Sequence, residues 1–307
     1  MPKGDYAIAA HRTPEPGLRT GLISLAVVTA AFIALFLSGV FRADPKLTPA
    51  DGPVTVTVEA ILSDSATAMY MRRFEQHAPI DAQMLRYEAQ AAIKGGAGKA
   101  AIADLILRAT LAQFQKSALD LRRASTDDFD AILAHLRVGF AAMARSDSHW
   151  CEASSVETLL KRSQTDLIAV LLAEFEYDSE AYRWALEWGG LYLQATDRAR
   201  RTPVPHGRRT LRDKTVLQQQ GLALGTKEWA LALQIATFSQ AEGQGYAQMR
   251  EVIESIDVCK LAVTAVDLSD ELPEANRGRI WAELMPEIFY GNTPYVLALV
   301  TDYFFLS

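Results

Sequence analysis

The feature that most constrains this chain is an unbroken apolar run over 21–41, GLISLAVVTAAFIALFLSGVF. No charge interrupts it, and its only polar side chains are Ser24, Thr29 and Ser38. As an α-helix it reaches roughly 30 Å, the thickness of a bilayer's hydrocarbon core. A helix also satisfies its own backbone hydrogen bonds, which lipid requires. Arg19 and Arg42 bracket the run. A signal peptide has a shorter apolar region, about 7–15 residues, ending at small residues. Here Leu37 stands two positions before Gly39, and Phe41 two before Ala43, so neither cut fits. The sequence therefore predicts one uncleaved transmembrane helix.

Within that helix Ala26, Ala30, Ala34 and Ser38 recur every fourth residue. They form a small-residue packing face along which a second helix could lie, either another copy of the chain or a different membrane subunit. Alanine is abundant throughout the chain, so composition alone is an equally simple source of the stripe.

Four segments follow from this anchor: a tail at 1–20, the helix at 21–41, a Pro-rich linker at 42–53 and a soluble domain at 54–307. Three Lys/Arg precede the helix, and Arg42 and Lys46 follow it. The positive-inside rule leans toward a cytoplasmic N-terminus with the main domain periplasmic or extracellular. Cys151 and Cys259, an even pair, are the expected disulfide of an exported domain. Two buried thiols of a cytoplasmic domain are the other reading.

The tail is net positive, and the remainder of the 307-residue chain carries a net charge of -7. Nucleic-acid binding needs basic surface to displace phosphate counterions, so no nucleic-acid partner is expected.

Beyond the linker, Val54, Val56 and Val58 alternate with threonines in the only clear period-2 stretch. The rest has helical spacing, predicting an all-α fold of many helices compatible with stacked hairpins. Helices are expected over 58–76, 80–94, 99–123, 126–145, from the Ser154/Glu157 capping box to about 175, and from a Ser179 cap to about 196. Further helices are expected over 211–223, 226–241, 246–266, after Pro273, and over 294–305. Gly95, Gly96 and Gly98 mark a turn rather than a phosphate loop, because GxxxxGK[ST] spacing is absent.

The search for chemistry returns little. The five histidines are scattered, and there is no HExxH, CxxC or GxSxG, so no catalytic residue, metal or cofactor is assigned. His149-Trp150-Cys151 sets an imidazole near a thiol, which a disulfide in a loop explains as well. Glu174, Glu176, Glu180 and Glu187 lie among Tyr177, Tyr182, Trp184, Trp188 and Tyr192. An acid in an aromatic cleft could cleave a glycosidic bond. The i, i+4, i+8 spacing of Trp184, Trp188 and Tyr192 instead describes a buried helix face.

The most distinctive polar feature is a basic segment holding Arg198, Arg200, Arg201, Arg208, Arg209, Arg212 and Lys214, with Asp213 its only acid. Pro203, Pro205 and Gly207 keep its middle out of helix. It could contact anionic lipid, an acidic ligand or a partner's acidic surface, or rest on acidic helices of its own domain. The expected function is that of an accessory or scaffold subunit of a membrane or envelope complex, acting through other envelope proteins. The alternatives are a tethered cell-wall glycan hydrolase and a cytoplasm-facing domain that binds anionic lipid.

Overall fold

A computed structural model describes residues 65–146, 148–152, 175–227 and 257–290. The apolar run at 21–41 with its Ala26/Ala30/Ala34/Ser38 stripe, the linker, the valine alternation and the Ser154 capping box lie outside the described residues. So do 228–241 and 294–305. Among the described residues no helix is long and apolar enough to cross a membrane.

The described regular structure is helical: eight α-helices and two short 3-10 turns, with a single bridge pairing Glu152 and Asp257. Helix α1 is Ser65–His77 and α2 is Pro79–Lys94. Pro79 suits the first turn of α2, where its missing N–H costs nothing. Ala82, Leu85, Ala89 and Ala92 recur at alternating three- and four-residue steps and form the buried stripe of α2. Gly96, at φ 90, supplies the left-handed conformation that ends this helix.

Helix α3, Lys99–Ser117, is shorter than the pattern predicted, because Ala118–Arg123 winds as a 3-10 turn. Ser117 back-bonds to the Gln113 carbonyl, and beyond it Leu121 is fully buried while Leu119 is 59% exposed. Those two leucines are two residues apart, a spacing that cannot occupy one α-helical face. Helix α4, Thr126–Arg145, matches its expected span. The Ser125 side chain caps it by accepting from the Asp128 amide.

Helix α5, Glu180–Arg201, is the central element, packing on α1, α3, α4 and the 3-10 turn. Ser179 caps its start, as expected, but it runs past Thr196 to Arg201. Arginine is a good helix former, and cations in the last turn complement the helix dipole. Helices α6 (Leu211–Lys227), α7 (Val258–Asp270) and α8 (Glu274–Tyr290) complete the described set. The helix expected over 246–266 is corrected at its start. Asp257 sits in the bridge and caps α7 by accepting from the Lys260 amide at 3.0 Å, so Val258 is its first residue.

The core centres on four aromatic rings. Phe114 meets Trp188 at 5.1 Å, Tyr192 at 4.5 Å and Phe289 at 5.1 Å between centroids. Such pairs contribute about 0.5–1.5 kcal/mol each beyond their buried area. They join α3, α5 and α8. Burial raises the Tyr192 phenol above its ordinary pKa, and its hydroxyl donates to the Phe114 carbonyl at 2.6 Å. A disulfide between Cys151 and Cys259, with Cα atoms 4.9 Å apart, fastens the 3-10 turn His149–Cys151 to α7.

Candidate functional site: an arginine-lined cleft

Three elements far apart in sequence enclose a cleft of about 550 Å³. The 3-10 turn supplies Arg122 and Arg123. The connector between α5 and α6 supplies His206, Gly207, Arg208 and Arg209. One face of α8 supplies Arg279, Ala282, Glu283 and Glu287, at helical spacing.

The connector is pinned at two points. The Val204 amide donates to the Arg123 carbonyl at 2.9 Å. His206 Nε2 lies 2.5 Å from the Ala124 carbonyl, which only accepts, so Nε2 carries the proton. The His206 ring sits against Gly278 of α8, where an added Cβ would come within 2.6 Å of Nδ1. Gly207, at φ 76, then turns the chain so that Arg208 and Arg209 line the cleft.

Charges in the cleft are unequally matched. Arg122 donates to Glu287 at 2.8 Å, and Arg209 lies 3.8 Å from Glu283. Arg279 engages both oxygens of Asp213, which is completely buried behind the cleft wall. Burial pushes the Asp213 carboxyl up. Hydrogen bonds from Arg279, from the Thr210 hydroxyl and amide, and from Asn276 outweigh that and hold it at about 2. Asp213 is therefore a fixed anion that orients Arg279. Arg123 and Arg208 are exposed and have no acidic partner among the described residues.

The basic segment is thus divided rather than being one loop. Arg198, Arg200 and Arg201 belong to the last turn of α5, where they pair with Asp128, Asp120 and Asp197. Arg212 and Lys214 stand on the first turn of α6, outside the cleft lining. Only Arg208 and Arg209 remain with the cleft, and sequence reasoning missed Arg122, Arg123 and Arg279 beside them. Neither of the two segments holding them is basic enough to stand out in the sequence.

Other expected chemistry is redistributed. Glu176, Glu180 and Glu187 are exposed, whereas Tyr182, Trp188 and Tyr192 are buried, so these carboxylates lie on the solvated side of an aromatic helix face. Glu174 lies outside the described residues. The Cys151 sulfur is bonded to Cys259 and offers His149 no thiolate. Asp257 and the two cysteine sulfurs lie within 4.8 Å of one another. The disulfide occupies both sulfurs, and the carboxylate caps α7 and pairs with Lys260, so the trio holds no metal in this state.

The chain matches no family model, no curated protein and no solved structure.

Proposed function

We propose that this chain is a membrane-tethered accessory or scaffold subunit that acts by binding another protein of a membrane or envelope complex. The arginine-lined cleft is its docking site. The observation that carries this reading is the imbalance in that cleft, where five guanidinium groups line the same space as two carboxylates and Arg123 and Arg208 have no acidic partner among the described residues. Arginine is favoured where carboxylates must be recognised with fixed geometry.

Two further observations support the setting. The apolar run at 21–41 is long enough to anchor the domain. The Cys151–Cys259 pairing fits an oxidising compartment, and so an exported domain. The small-residue face Ala26/Ala30/Ala34/Ser38 gives the anchor a means of pairing with a second copy or a partner helix. The glycan-hydrolase alternative is weakened by the exposure of Glu176, Glu180 and Glu187.

Native extraction of the full-length chain in mild detergent tests the reading. The chain should migrate in a complex larger than its own mass with a second protein present. An isolated monomer under every mild condition would contradict it.

A further inference from the structure

Resting on the partner-binding reading, we infer that the occupant of the arginine cleft is an extended acidic peptide segment of the partner, held through carboxylates at two separate positions. The two cleft arginines without an acidic partner among the described residues come from different elements. Arg123 ends the 3-10 turn, whereas Arg208 follows the left-handed turn at Gly207. A ligand that engages both meets guanidinium groups from two elements, which carboxylates spaced along a chain can do together.

The rest of the cleft discriminates among anions. Glu283 and Glu287 line its α8 wall. Both are partly neutralised by Arg122 and Arg209 and repel any anion, a phosphoryl dianion concentrated in one spot more than carboxylates spaced along a chain. An extended peptide spreads its carboxylates toward the arginines, and its backbone N–H groups can donate to the wall acids. The space, about 550 Å³, lies within the range of binding pockets and is far larger than one phosphoryl group needs. The supporting framework is already charged and fixed. Asp213 stays ionised behind Arg279, and Glu287 holds Arg122, so those two guanidiniums keep their positions without a ligand.

Fluorescence anisotropy of a labelled hexaglutamate peptide with the full-length, detergent-solubilised chain provides the test. Binding should weaken by about tenfold or more in the double variant R123E/R208E, as expected for loss of matched charge. It should be unchanged in R145E, which reverses an exposed arginine at the end of α4, outside the cleft. Circular dichroism of each variant checks that the fold is intact. Equal weakening by R145E, or no weakening by R123E/R208E, would overturn the inference. So would displacement of the peptide by an equal concentration of inorganic phosphate, which would make the cleft a phosphate site. Failure of this assay while the chain still extracts in a larger complex removes the acidic-peptide assignment alone. Extraction only as a monomer removes the partner-binding reading itself.

Discussion

Arg279 grips Asp213, with Nη2 donating to Oδ1 at 2.8 Å and Nε lying 3.1 Å from each carboxylate oxygen. The contact ties α8 to the first turn of α6 and fixes one wall of the cleft. Asp213 is completely buried, so its stabilisation depends on all its donors together.

Replacing Asp213 by Ala should destabilise the domain by about 3 kcal/mol, because it strands the Arg279 guanidinium and leaves Asn276 without its acceptor. Its pH dependence follows from its sign. The carboxyl sits at about 2 when folded, against an ordinary 3.8. Its contribution is therefore complete above about pH 4 and is lost as the pH falls through about 2. Denaturant melts of wild type and D213N should converge as the pH falls through that window. A constant gap between them would show that the carboxylate contributes little.

The disulfide joins Cys151 and Cys259 across a sequence separation of 108. Removing such a crosslink typically costs about 2–5 kcal/mol. The double variant C151A/C259A should unfold at correspondingly lower denaturant concentration. The protein isolated without reductant should bind no thiol reagent until it is both denatured and reduced. Labelling of the denatured, unreduced chain would contradict the pairing.

Gly189 on α5 faces side chains of both α1 and α3. A Cβ there would come within 2.7 Å of Thr110 Cγ2 and 3.1 Å of Tyr70 Cε2. Both neighbours are buried and joined by a hydrogen bond at 2.6 Å, so neither can retreat easily. G189A should cost about 1–3 kcal/mol through overpacking, read as a lower denaturation midpoint. A neutral result would mean that this interface yields more than its geometry implies.

Some elements were legible from residues alone. Phe129, Ile132, Leu133, Leu136, Phe140 and Met143 repeat at helical spacing over 126–145, and α4 follows that span and buries the first five, with Met143 partly buried. Of the expected aromatic face of α5, Trp188 and Tyr192 are buried and Trp184 is half-buried. The break after Ser117 escapes the helical pattern over 99–123, which takes in both Leu119 and Leu121 although residues two apart cannot share a helical face. Asp257 before an apolar run was a readable cap, yet the helical pattern upstream obscured it.

The cleft was hidden for a different reason. Arg122, Arg209 and Arg279 come together only because α8 packs on the 3-10 turn and the connector returns across both. Charge density along the chain points to Arg208 and Arg209 but equally to Arg198, Arg200 and Arg201, whose acids are supplied by α4, the 3-10 turn and α5 itself. Which arginines remain unmatched is a property of tertiary packing, and no local pattern encodes it.

Docking of a protein partner in the cleft is read by site-specific photo-cross-linking in intact membranes. Full-length chains would carry Arg208→p-benzoylphenylalanine in the cleft or, as a control, Arg145→p-benzoylphenylalanine outside it. The cleft position should give a discrete, light-dependent adduct heavier than the chain, and the control should give none. No adduct from position 208, or equal adducts from both positions, would contradict the account.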